Sequence, residues 1–194
     1  MIRRCLLLAN CLLIFSIGLT GQTLKDFLGL SRYEGVVVLL NGDTVRGKIT
    51  FNNEPVNYHK VIIRDSLNNK RMVFGPTEVK FFSLGEAYFY PKFLENDWIL
   101  MYLMLNDSLK VWEYRNTLST PSATMIFSSY ILEKPDGKYL KVNDNGFYAF
   151  RKKVSEFFRD YPQLSSDISS RSYKVDDLMT IARKYNEWLR RKER

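Results

Sequence analysis

The sequence contains very little cysteine and histidine, since its 194 residues include two cysteines and one histidine. Both cysteines, Cys5 and Cys11, lie in an N-terminal segment that we expect to be cleaved off. A mature chain without cysteine has no disulfide, no thiolate metal site and no cysteine nucleophile. The lone histidine, His59, cannot build a multi-histidine metal site. We therefore expect neither a metal nor a cofactor.

The sequence also lacks a recognisable catalytic motif. There is no serine elbow and no orienting carboxylate close to His59 in the sequence, so we interpret His59 as a surface residue and not as part of a triad. The turn at 143–146 resembles part of a calcium loop. Aligning Gly146 with the glycine of such a loop places Lys141 and Lys152 where carboxylate ligands are needed, which excludes this interpretation.

The N-terminus has the pattern of a cleavable signal peptide. Arg3 and Arg4 precede an apolar run at 5–19, which at roughly 15 residues is shorter than the ~20 that a transmembrane helix needs. We expect cleavage after Gly21, with Thr20 as the alternative, and no lipid on Cys11. Residues 1–21 are thus predicted to be the signal peptide and 22–194 a single mature domain without a transmembrane helix. The protein is expected to be periplasmic, envelope-associated or secreted.

The charge is positive but spread along the chain. Lys and Arg number 29 against 21 Asp and Glu, and they form no long basic run. A dispersed surplus of this kind usually serves solubility. If the charge does select a partner, an envelope protein or an anionic envelope glycan or lipid surface is expected. Nucleic acid is not expected as a partner, because the protein is predicted to be exported.

Short strands are predicted over the β-rich region, 33–142. An apolar run at 36–40 is followed by Asn41-Gly42 and then by alternation of apolar and polar residues, which indicates a hairpin with a type I′ turn. Gly47 replaces an inward side chain in the second strand and predicts a bulge or a close backbone approach. About ten strands are expected, at 36–40, 45–51, 61–64, 72–74, 79–84, 88–90, 98–105, 109–114, 124–132 and 138–142.

Helices are predicted in the C-terminal region, 147–194. Apolar residues recur there at three- and four-residue spacing, with a helix ending near Asp160, a shorter turn carrying Leu164 and Ile168, and a long final helix. The final helix has an apolar stripe that we expect to pack on the strands, where the segment 98–105 is apolar at every position. The predicted fold is α+β, with an antiparallel sandwich or barrel-like region followed by amphipathic helices packed on it.

Aromatic residues supply the candidate binding site. They make up 14% of the sequence, and Tyr88, Tyr90 and Trp112 fall on neighbouring predicted strands where they offer a stacking surface. The alternative is that these rings belong to the core, because large rings dominate burial in small β domains.

Two families resemble parts of the sequence. The segments 35–49 (GVVVLLNGDTVRGKI) and 76–82 (PTEVKFF) resemble uncharacterised exported proteins of Bacteroidota, over residues 30–160. That resemblance implies an envelope location and brings no catalytic residues. The hairpin with Gly47, preceded by a short helix at 23–30, is also similar to the small Sm-like barrel.

These observations predict an exported, non-catalytic envelope protein that acts as a binding or structural module. The alternative is a hydrolase of envelope glycan or peptide whose carboxylates are brought together by folding.

Overall fold

The computed structural model describes residues 32–120, 123–143, 147–170 and 173–192. The predicted signal peptide and the segment 22–31 lie outside these ranges. Ten strands are described, each at a place where the sequence predicts one. They are β1 (Arg32–Leu39), β2 (Thr44–Thr50), β3 (Val61–Asp65), β4 (Arg71–Phe74), β5 (Val79–Leu84), β6 (Ala87–Leu94), β7 (Asp97–Leu105), β8 (Lys110–Thr120), β9 (Ala123–Glu133) and β10 (Tyr139–Asn143).

All ten strands pair antiparallel in one sheet, in the order β10-β9-β8-β7-β6-β5-β1-β2-β3-β4. The chain makes a four-stranded meander, returns to pair β5 with β1, and then makes a second meander. The predicted antiparallel α+β class is therefore confirmed. The sheet does not close, so the small Sm-like barrel is not the architecture of this chain.

The turn between β1 and β2 differs from the predicted type I′ turn. A type I′ turn requires a positive φ at both central residues. Gly42 has a φ of 94°, but the φ of Asn41 is not positive. The N–H of Leu39 donates to the carbonyl oxygen of Asp43 at 2.8 Å, and the N–H of Gly42 donates to that of Leu39 at 3.0 Å. These bonds close a three-residue loop with glycine in the left-handed position, a common alternative to the two-residue turn.

The two-residue turn with both residues in the left-handed region occurs instead between β6 and β7. Its central residues, Glu95 and Asn96, have φ values of 52° and 68°. The flanking Leu94 and Asp97 pair directly across the hairpin. The sequence analysis did not predict this turn, because neither central residue is glycine.

Gly47 makes the predicted close backbone approach. A Cβ atom at this position would lie 2.0 Å from the carbonyl oxygen of Arg64 on β3. Gly47 faces Gly35 across the β1–β2 pair, and a Cβ on Gly35 would lie 2.4 Å from the carbonyl oxygen of Ser83. The two glycines therefore let two pairs of neighbouring strands, β2 with β3 and β1 with β5, approach closely.

A 3₁₀ turn at Pro55–Tyr58 packs onto the first hydrophobic cluster, which runs through β1 to β9. Tyr58 is fully buried, with its ring 6.1 Å from that of Phe51. Its hydroxyl donates to the side-chain oxygen of Asn53 at 2.7 Å. Burial raises the pKa of Tyr58, and the nearby carboxylate of Glu113 adds to this effect. The phenol therefore stays protonated and keeps the turn attached to the sheet.

Three helices cover β8 to β10 and form the second hydrophobic cluster. They are α1 (Phe147–Phe157), α2 (Pro162–Ser169) and α3 (Leu178–Lys192). Pro162 occupies the first turn of α2, where its missing N–H costs no hydrogen bond. The stripe of α3, with Ile181 and Tyr185 fully or nearly fully buried, packs in one cluster with Val111 and Leu132 of the sheet. The expectation that this helix packs on the strands is confirmed.

The strand at 98–105 is only partly the surface that was expected to receive α3. Its middle is buried on both faces, whereas Trp98 is 42% exposed. Of this segment, only Met104 and Leu105 contact the helical cluster. The main receiving surface comes from β8, β9 and β10, which contribute Val111, Leu132 and Val142 to the helical cluster. In the described ranges, no helix has the length and apolar character needed to cross a membrane.

Candidate functional site

The predicted aromatic residues lie in one row on one face of the sheet. Tyr88 and Tyr90 alternate along β6, so both rings point to the same face. Phe81 of β5 lies between them, with ring centroids 6.0 Å from Tyr88 and 5.8 Å from Tyr90. Tyr90 meets Trp112 of β8 edge-on at 5.9 Å. The fold therefore brings the three predicted residues together through Phe81, which the sequence analysis did not include.

The row is only partly a surface. Tyr88 is 42% exposed, while Trp112 is 5% exposed. Each of the two alternatives raised from the sequence holds for one member of the row. Tyr88 is available for stacking, and Trp112 is a core residue. Trp112 nevertheless forms the floor of a cleft, because the residues above it leave an opening on that face.

An ion pair stands on this floor. The ammonium of Lys92 lies 2.8 Å from Oε2 of Glu133, and Nε1 of Trp112 donates to the same oxygen at 2.7 Å. Lys92 also lies over the indole ring, 4.3 Å from its centroid. Burial opposes ionisation of Glu133, but the hydrogen bonds and charge of Lys92 and the hydrogen bond of Trp112 outweigh it and hold the pKa of Glu133 below its usual value. The carboxylate is thus kept ionised and fixed in orientation.

The cleft above these groups has a volume of about 190 Å³. Its floor is apolar, and two aromatic residues stand at its rim: Tyr139 is 58% exposed and Phe93 is 59% exposed. The lining residues are Lys92, Phe93, Leu94, Met101, Trp112, Ile131, Glu133, Gly137 and Tyr139. Apolar walls with a few fixed polar groups are the usual composition of a small-molecule site.

Curling of the sheet creates this cleft. The ammonium of Lys141 on β10 lies 2.6 Å from Oε2 of Glu95 in the β6–β7 turn. β10 and β6 are four strands apart, roughly 19 Å on a flat sheet. Extended lysine and glutamate side chains together span only about 10 Å. The second meander must therefore curl, and the face that carries Lys141 is the concave one. The same bend carries Glu133 to Lys92.

Lys92, Glu133 and Tyr139 were missed by the sequence analysis. Lys92 lies two residues after Tyr90 and so shares its face, which is a signal that the sequence does contain. No such signal exists for Glu133, because its contact with Lys92 joins residues 41 positions apart on strands that are not neighbours.

His59 is a surface residue, as predicted, and the fold places a carboxylate beside it. Its Nδ1 lies 3.5 Å from Oδ2 of Asp97, with the two side chains 49% and 61% exposed. The pair forms where the 3₁₀ turn meets the start of β7. A solvated pair of this kind lacks the buried, oriented geometry of a catalytic dyad.

Within the described ranges, no three His, Cys, Asp or Glu residues group together in a way that could hold a metal ion. Asp160 belongs to an ion pair: it accepts from Lys134 at 2.8 Å and from the hydroxyl of Tyr185 at 2.5 Å. Burial opposes ionisation of Asp160, but these two partners outweigh it and lower its pKa. This pair joins the helices to the β9–β10 turn and has a structural role.

Comparisons of the chain with protein-family models, with curated proteins and with solved structures give no match. The function must therefore be inferred from the chemistry of the site, since a fold alone does not specify an activity.

Proposed function

We propose that this protein is an exported, non-catalytic binding module of the cell envelope, and that the cleft over Trp112 is its binding site. The observation that carries the proposal is the shared contact of Lys92 and Trp112 with one oxygen of Glu133. A charged pair held in one orientation inside a largely apolar cleft with exposed rings at its rim gives a ligand both stacking contacts and directional hydrogen bonds.

The volume of the cleft limits what it can hold. At about 190 Å³ it is smaller than the ~300 Å³ at which sites for drug-sized ligands begin. A single ring fits this space, such as one sugar unit of an envelope glycan or one side chain of an envelope protein. The exposed rings of Tyr139 and Phe93 flank the entrance and supply stacking contacts.

The ionisation of Glu133 supports a binding role over a hydrolytic one. A general acid for glycoside hydrolysis needs a raised pKa and a second carboxylate. The pKa of Glu133 is lowered, and the described residues that line the cleft include no second carboxylate. Glu133 is therefore suited to accept hydrogen bonds and not to donate a proton.

A binding screen tests the proposal. Purified residues 22–194 are titrated with glycan fragments and peptides prepared from a bacterial envelope, with intrinsic tryptophan fluorescence as the readout. Binding that is weakened about tenfold or more by Glu133→Gln and Tyr139→Ala, but not by Glu86→Gln outside the cleft, supports it. Binding that all three variants retain places the ligand elsewhere and contradicts the assignment of the cleft.

The export part of the proposal has its own test. Mass spectrometry of the protein from its native host is expected to find an N-terminus at or next to Gln22 without an acyl group. An intact Met1 in cytoplasmic protein would show that the segment 1–21 is not a signal peptide.

Hydrolysis of envelope glycan or peptide is the second candidate function. The feature that it would use is the approach of Asp97 to His59, a pair that lies in solvent and lacks the geometry of a buried dyad. An activity on envelope fragments that is lost in both His59→Ala and Asp97→Asn, while the fold is retained, would replace the non-catalytic proposal.

A further inference from the structure

Four basic residues that are far apart in the sequence meet on the first meander. Arg32, Lys48, Arg64 and Arg71 come one each from β1, β2, β3 and β4, and they line one cleft of about 90 Å³. The sequence analysis treated the positive charge as dispersed. The strand pairing concentrates part of it, because these residues all fall on the same face.

The register places three of these cations directly opposite one another. Lys48 pairs with Arg64 across β2–β3, and Arg64 pairs with Arg71 across β3–β4. Like charges at directly opposed positions destabilise a sheet. A row of this kind therefore lowers the stability of the folded protein unless a bound anion neutralises it.

The protein itself supplies little compensating charge to this row. Within the described part of the chain, Oε1 of Glu34 lies 4.0 Å from the ammonium of Lys48. No carboxylate of that part lies within this distance of Arg32, Arg64 or Arg71. Arg64 donates to the carbonyl oxygen of Asn69 at 3.1 Å, which leaves other N–H groups of its guanidinium available. Guanidinium groups bind carboxylate and phosphate oxygens in pairs.

We propose that this face, which we call the basic ladder (Arg32, Lys48, Arg64 and Arg71), binds an acidic glycan, a linear saccharide that carries carboxylate, phosphate or sulfate groups. Opposed residues of neighbouring strands stand about 5 Å apart, so the ladder presents a line of cations along the cleft. A polymer with repeated anionic groups matches such a line. Thr50 and Ile62, which also line the cleft, contact the sugar rings between the anions.

The position of the ladder favours a glycan over a lipid surface. Two apolar side chains that are more than half exposed at this end of the sheet, Leu40 and Leu67, lie in turns close to Asp43 and Asp65. Insertion of these turns would bring two carboxylates to an anionic membrane. On the face of the sheet, by contrast, the register runs from Arg46, two residues before Lys48 on β2, through Val36 and Ser83 to Tyr88, three strands away or about 14 Å. An extended glycan of a few units reaches an exposed stacking ring there.

The ladder is independent of the cleft over Trp112, since it belongs to the first meander and the cleft to the second. Failure of one assignment leaves the other standing.

Calorimetric titration of residues 22–194 with oligogalacturonate tests the proposal. Dextran is the neutral control, and phosphatidylglycerol vesicles and a single-stranded DNA oligomer are the competing anions. The double variant Arg64→Gln/Arg71→Gln is compared with Arg183→Gln, which removes an exposed arginine from α3. We expect the double variant to bind oligogalacturonate at least about tenfold more weakly, the control to bind it normally, and the affinity to fall as salt rises.

A second readout separates loss of binding from loss of structure. The single variant Arg71→Gln removes a repelling charge and, among the described residues, breaks no hydrogen bond or ion pair, so without ligand it is expected to melt at or above the temperature of the parent. Equal weakening by the double variant and Arg183→Gln would overturn the proposal by showing only a general charge effect. Binding of vesicles or DNA more tightly than oligogalacturonate, with the same dependence on the ladder, would assign the ladder to those ligands instead.

Discussion

Asn186 on α3 makes two hydrogen bonds with the backbone of Leu109, in the turn that leads into β8. Its side-chain oxygen accepts from the N–H of Leu109 at 2.6 Å, and its side-chain nitrogen donates to the carbonyl oxygen of Leu109 at 3.1 Å. Both residues are fully buried. This amide satisfies a backbone donor and acceptor that no strand pairs, and so fixes the position of α3 on the sheet.

Replacement of Asn186 by alanine is expected to destabilise the protein by about 2–4 kcal/mol, because two buried backbone groups then lose their partners. Urea unfolding followed by circular dichroism measures the free energy of unfolding. Glu187→Ala, at the exposed neighbouring position, serves as the control and is expected to have little effect. A loss below about 0.5 kcal/mol for Asn186→Ala would mean that water replaces the amide at this position.

Gly47→Ala tests the close approach of β2 and β3. The added Cβ would lie 2.0 Å from the carbonyl oxygen of Arg64, so the two strands must separate. We expect a loss of about 2 kcal/mol or more in the free energy of unfolding. The matched change Gly75→Ala meets its nearest atom at 3.4 Å and is expected to be nearly neutral. Similar stability of the two variants would contradict the close approach.

The pH dependence of stability is expected to report on Glu133. Its pKa is lowered in the folded protein, so its contribution is present above the pKa of the unfolded chain and is lost as the pH falls through the folded value. Glu133→Gln is therefore expected to cost about 1 kcal/mol at pH 7 and progressively less below about pH 4. Denaturant unfolding from pH 3 to pH 7 measures this difference. The exposed residue Glu86 provides the control, and a cost for Glu133→Gln that does not change with pH would rule out the ion pair as its source.

A chain that ends at Tyr173 lacks α3 and tests whether the helices belong to the same folding unit as the sheet. The second hydrophobic cluster would lose Ile181, Ala182 and Tyr185 and expose Val111 and Leu132. We expect the truncated chain to be insoluble or to lose its cooperative thermal transition. Cooperative melting at the temperature of the longer chain would show that α3 is an independent segment.

The positions of the ten strands and the packing of the last helix could be predicted from the sequence. Apolar residues that alternate at a period of two indicate the buried face of each strand, and apolar residues spaced by three and four indicate the buried stripe of α3. Both patterns can be read locally, because they reflect the burial of residues that are close together in the chain. The antiparallel class followed from the short connections. Turn geometry was harder to predict from the sequence. Asn41 and Gly42 belong to a three-residue loop, while Glu95 and Asn96 both take the left-handed conformation although neither is glycine.

The candidate sites depended on tertiary structure. Alternation shows that Lys48, Arg64 and Arg71 face outward from their strands, but only the register places them opposite one another. The approach of Asp97 to His59 and the contact of Glu133 with Lys92 join residues 38 and 41 positions apart. Such contacts depend on the pairing order and on the curl of the sheet, which are set by the packing of the whole core. A local pattern determines which way a side chain points, and the global fold determines what it meets.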